Sequence, residues 1–164
     1  MSSRGASVRD VGAVAVVVSL IALWFVPALA QPDTHVGTWV LNVAKSKYNP
    51  GPPPKEQTTV IEAAGNGIKV ATKGTDSAGK STSTSYTANY DGKDSAVTGN
   101  PDWDMTSLKR VNANTVEFTR KKAGKVVQTA TSVISSDGKT RTVTSTGVDA
   151  QGRKISNVSV YEKK

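Results

Sequence analysis

The stretch AGKVVQTATSVISSDGKTRTVTSTGVDAQGRKI, residues 123–155, decides the fold. Three glycine–basic pairs, Gly124-Lys125, Gly138-Lys139 and Gly152-Arg153, fall fourteen residues apart. That interval holds one strand of about ten residues and a tight turn. Glycine suits the positive φ that hairpin turns demand, and a lysine or arginine beside it discourages edge-to-edge pairing. Between the turns the chain alternates and is rich in Thr, Val and Ser. This patterning predicts an antiparallel meander.

Working outward, the same pairing recurs at Gly79-Lys80 and Gly92-Lys93, and strand-like segments continue to both ends. Towards the amino terminus, Val36 to Val43 (VGTWVLNV) reads as the first strand, with Trp39, Leu41 and Val43 on one face. The next segment, Asn49-Pro-Gly-Pro-Pro-Pro54, is too proline-rich for a helix or a central strand and reads as an extended crossing over a barrel rim. Strands are then expected at residues 57–63, 68–73, 81–90 and 95–98, with a turn at Gly99-Asn-Pro-Asp102. Further strands at 105–111, 115–121, 125–135, 140–147 and 154–162 bring the count to nine or ten. Several carry Thr or Ser on both faces, which suits a barrel with a partly polar interior better than a sandwich. The fold class expected is all-β: an antiparallel up-and-down meander closed into a barrel of eight to ten strands.

Residues 1–30 read as a signal peptide. Arg4 and Arg9 form a basic start, Val11 to Val26 an apolar run, and Ala28-Leu29-Ala30 a small-x-small cleavage site. An uncleaved anchor helix is the rival reading, and Pro27 before the Ala-x-Ala favours cleavage. The chain is therefore expected to be periplasmic or secreted and to begin at Gln31. Residues 31–35 are expected to be a mobile lead-in, and residues 36–164 the barrel domain. The sequence contains no cysteine, so an exported fold must stand without disulfides. Its formal charge of +8 is scattered over turns and strand ends, including the run Arg120-Lys121-Lys122 read as a solvated hairpin tip. Nucleic acid is not expected as a partner; weak contact with anionic envelope surfaces is.

Catalytic and metal chemistry find little support. There is one histidine, His35, and it falls in the lead-in. No nucleophile elbow, phosphate loop or dinucleotide fingerprint occurs, and a lone histidine without cysteine cannot make an ordinary zinc site. Asp102-Trp103-Asp104 is the one oddity. Its bland reading is a turn leading into a strand with Trp103 packed on the barrel; weak calcium binding or a ligand contact are the alternatives. No enzyme activity, cofactor or metal is expected.

Two motifs carry a family resemblance. Gly37-Thr-Trp39 opens the first strand, and Val160-Tyr-Glu-Lys163 ends the chain. With the meander between them, the sequence resembles the calycin superfamily, in particular the exported lipocalin-like and fatty-acid-binding-protein-like proteins of bacteria. The resemblance implies a monomeric barrel that binds a small hydrophobic or amphipathic molecule in its interior, with Trp39 plugging the closed end. It also implies arginines that hold a ligand carboxylate. The matching positions carry Thr131 and Ser159, only Tyr161 of that set is retained, and the expected ligand is accordingly neutral. From alternation, the expected ligand-binding residues are Trp39, Leu41, Tyr86, Tyr90, Phe118, Val127, Val133, Ile155 and Tyr161. The competing expectation is a structural or interaction barrel of the cell envelope, its interior filled by its own side chains.

Overall fold

Ten strands follow one another with almost no helix in the computed structural model, which describes residues 32–164. The expected signal peptide and its cleavage junction lie outside the described residues. The strands are β1 (Gly37–Leu41), β2 (Glu56–Ala64), β3 (Gly67–Thr75), β4 (Ser81–Asn89) and β5 (Ser95–Thr98). They continue as β6 (Met105–Asn112), β7 (Thr115–Lys122), β8 (Lys125–Ile134), β9 (Thr140–Val148) and β10 (Lys154–Lys163). Each pairs antiparallel with the next, and β1 pairs with β10 through Trp39↔Lys163 and Leu41↔Tyr161, so the barrel is closed. The expected all-β meander is found, with the strand count at the top of its range, and its architecture agrees with the calycin-like resemblance.

The turn glycines explain the connectivity. Gly79, Gly92, Gly124, Gly138 and Gly152 all have φ between +70° and +91°, a region that side-chain-bearing residues rarely adopt. Four of them need the conformation and not the space, since a Cβ at Gly92, Gly124, Gly138 or Gly152 would meet nothing.

Side chains point alternately into and out of the barrel, and the inward set divides into two halves. At the closed end Trp39, Ile61, Ile68, Leu108 and Val116 are all but inaccessible, with Phe118 and Ile134 beside them. This half is a packed core with no room for a ligand. The β3–β4, β7–β8 and β9–β10 turns surround the opposite, open end. The proline segment crosses that rim as expected: Asn49 is tied to β10 by Ser156 N–H to its carbonyl (2.7 Å), and Pro50, Pro52 and Pro54 border the opening.

The segment before β1 differs from expectation. Asp33 to His35 is not a loose lead-in but the seal of the closed end. Trp39 Nε1 donates to the His35 carbonyl (2.8 Å), and Thr34 Oγ1 donates to the Ala113 carbonyl (2.6 Å). His35 itself is 1% exposed. Asp33 accepts from Tyr90 Oη (2.6 Å) and from the Arg110 guanidinium, which lies over the Tyr90 ring at 4.0 Å. Burial pushes the Asp33 carboxyl up, but hydrogen bonds from His35 and Tyr90 and the charge of Arg110 hold it well below the usual carboxylate range. A depressed folded-state pKa stabilises the fold fully above the unfolded value near 4, and that contribution is lost progressively as pH falls from there through the folded value. Asp33→Asn should therefore lower stability at pH 7 by on the order of 1–2 kcal/mol. Urea midpoints for the two proteins should converge as the pH is lowered from 5 towards 2.

Candidate functional site

The open half of the barrel holds a cup of about 250 Å³. A wider basin of about 760 Å³ lies against it at the rim and shares Tyr48, Gln57, Thr84 and Asn157 with its walls. Four residues of the cup wall are aliphatic or proline: Pro54, Val70, Val143 and Ile155. The remainder carry hydroxyl, amide, aromatic or charged groups. The strands place them there by simple parity: Arg120 follows Phe118 at the next inward position of β7, and Arg141 precedes Val143 on β9.

Two guanidiniums dominate the electrostatics. Arg141 is 7% exposed; its Nε donates to Ser132 Oγ (3.0 Å), and its charge lies 5.4 Å from the centre of the Tyr161 ring. Arg120 donates from Nη1 to Gln128 Oε1 (3.1 Å) and lies 4.7 Å from the centre of the Trp103 ring, while its buried Nε has no partner. Among the described residues, no carboxylate forms an ion pair with either. Burial lowers the proton affinity of both, opposed by Tyr86 and Tyr161, yet arginine stays protonated at any physiological pH. The cup is thus positively charged, and only Asp102 brings a carboxylate to its wall. That carboxylate accepts the Ala150 N–H at Oδ1 (2.9 Å), and its charge also acts on Arg120, without forming an ion pair.

The hydroxyls are donors. Burial pushes Tyr48 up to about 12 and raises Tyr86 and Tyr161 as well, so all three are neutral at pH 7. Tyr161 donates to Gln57 Oε1 (2.5 Å), and Tyr48 shares a hydrogen bond with Ser159 Oγ (2.8 Å). Trp103 enters from the β5–β6 loop, 7% exposed, edge-on to Tyr86 with ring centres 6.1 Å apart. The bland reading of Asp102-Trp103-Asp104 holds in part: the tryptophan packs on the barrel, but on its inner wall. Both flanking carboxylates accept backbone N–H groups, from Ala150 and Ala123.

The nine expected ligand-binding residues are distributed unevenly. Tyr86, Ile155 and Tyr161 line the cup. Leu41 and Phe118 belong to the buried core cluster, and Trp39 is the closed-end plug. Tyr90 is spent on the Asp33 seal rather than on the cup. Val127 and Val133 are corrected: they sit on the outer parity of β8, and Val133 is 43% exposed. The inward residues of that strand are Gln128, Ala130, Ser132 and Ile134. Both faces of β8 are half apolar, so alternation alone could not choose, and a bulge opposite Arg120 and Lys121 shifts the register.

The expectation of an interior without cations is corrected too. Thr131 and Ser159 bear no charge, but Arg120 and Arg141 supply it from other strands. Arg120, expected with Lys121 and Lys122 at a solvated tip, faces the cup instead. The signal that locates it was the period of two running from Phe118, which carries a side chain past the strand's apolar part to the same face.

No family model matches the chain, and no curated protein matches it. Among solved structures the chain is similar to zebrafish ileal bile acid-binding protein complexed with cholic acid. The identity is 16%, the TM-score 0.48, and the match covers 80% of this chain and 99% of that one.

Proposed function

We propose that this chain is an exported, monomeric binding protein whose barrel holds one small organic anion, with the negative group directed to Arg120 and Arg141. The single observation that supports this is a buried Arg141 and a partly buried Arg120 on the wall of one cup, neither of them in an ion pair among the described residues. A buried charge without a counter-charge is destabilising unless something supplies one. A bound anion does so. This replaces the neutral ligand expected from the resemblance. The mechanism is capture, not conversion: the anion exchanges water for arginine and tyrosine donors, and the aromatic rings cover its body.

The test is ligand-induced stabilisation. Melting curves are recorded with benzoate, dodecanoate, D-glucuronate and phosphate at pH 7. A true ligand adds about 2.7 kcal/mol at a hundredfold excess over Kd. At least one organic anion should raise the melting temperature of the wild type, and the gain should vanish in Arg141→Met. A flat response to all four would leave the second reading, a side-chain-filled barrel of the cell envelope, which the fully packed closed half favours. Its basic turns would then meet anionic surfaces.

Export belongs to the same proposal and rests on residues 1–30. Intact mass of the protein recovered from the exported fraction should correspond to a chain starting at Gln31. Recovery of the full-length mass from membranes would refute it.

A further inference from the structure

The walls of the cup carry information about the rest of the ligand as well as its charge. We propose that the ligand is a polyhydroxylated acid of monosaccharide size, a hexuronate or aldonate, rather than an acid with a hydrocarbon tail; this rests on the anion-binding reading above.

Size argues first. The cup itself holds about 250 Å³, room for a group of monosaccharide size, and anything longer extends into the adjoining basin of about 760 Å³. The packed closed half leaves no tunnel beneath it for a chain to enter. A long alkyl tail would have to leave through the rim, where the basin is bordered by Pro50, Pro52 and Pro54 and by the polar groups of Asp76, Lys80, Asn100, Asp149 and Arg153. Those groups would lose water to a hydrocarbon that returns no hydrogen bond.

Hydrogen bonding argues second. Thr72, Thr84, Gln128, Ser145 and Asn157 reach the cup from β3, β4, β8, β9 and β10, so polar groups surround the space on several sides. Gln128 is spent on Arg120 and the Val148 carbonyl, but Thr72, Thr84 and Asn157 each keep hydrogen-bonding capacity beyond one protein partner; sugar hydroxyls, which both donate and accept, can use it, and an alkyl or plain aromatic body cannot. Arg120 Nε, buried without a partner, needs an acceptor, and a carboxylate or hydroxyl oxygen is one. The aromatic surfaces argue third. Tyr48 and Tyr86 bring ring surface to the cup wall against which the C–H face of a pyranose packs, while its edge hydroxyls reach the surrounding amides and hydroxyls.

Isothermal titration of the purified chain with D-glucuronate, D-glucose, benzoate and dodecanoate decides the class. The expected result is one-to-one glucuronate binding at least tenfold tighter than that of each of the other three. Ser145→Ala, a change on the cup wall, should then weaken glucuronate severalfold while leaving the melting temperature near that of wild type. Benzoate or dodecanoate binding more tightly than glucuronate overturns this inference and leaves the anion reading standing. Glucose binding as tightly as glucuronate, or no binding by any acid, overturns both. The ligand comparison is made on the wild type, so the outcome does not depend on a variant that folds.

Discussion

Trp39→Ala should lower the free energy of unfolding by about 3–5 kcal/mol, the range for truncating a buried large aromatic. The ring is fully buried, its Nε1 bonds the His35 carbonyl, and the ammonium of Lys163 lies 5.1 Å from its centre. Loss of the indole therefore opens a void at the closed end and also releases the segment that carries Asp33. Urea denaturation followed by far-ultraviolet circular dichroism measures the effect. A neutral substitution would show that the plug contributes nothing and that the register built on it is wrong.

The second large effect has the opposite sign. Replacing both cup arginines, Arg120→Met with Arg141→Met, should stabilise the ligand-free protein by about 1–4 kcal/mol, as happens when buried charged groups give way to apolar side chains of similar length. Methionine fills irregular space and needs no counter-charge. The same variant should lose its response to organic anions entirely. Stability gained together with binding lost is the mark of a functional charge; a structural arginine would give loss of both. Paired melting curves, with and without anion, separate these outcomes, and a strongly destabilised variant would show that the arginines are needed for packing.

Most of the barrel was legible because its two signals are local. A turn that needs positive φ calls for glycine, and a half-buried strand calls for alternation, so the turns at Gly124, Gly138 and Gly152 and the strands between them could be read residue by residue. The cup was less legible because its chemistry is assembled across strands. Arg120 and Arg141 are twenty-one residues apart in sequence and face one space only through the β7–β8–β9 pairing. Polar strand residues look solvated until closure of the sheet decides which face is inside. Val127 and Val133 failed for the converse reason: valine on a barrel's outer wall looks like core. His35 gave no local signal, since its burial follows from the hydrogen bond that Trp39 makes to its carbonyl.

The β1–β10 seam carries a consequence for how the chain reaches its native state. Every other ladder joins strands that are neighbours in sequence and can zip from its own turn. The seam instead brings Leu41 to Tyr161, about 120 residues apart, and is finished by the N–H of Lys164 on the carbonyl of Thr38. The entropic penalty of that single long loop is met by no local contact until the meander has formed, so joining the ends is the late, slow event in folding. A nascent chain that lacks β10 has hairpins but no ring. That strand must therefore be made before the barrel exists, which leaves the growing chain open until it emerges.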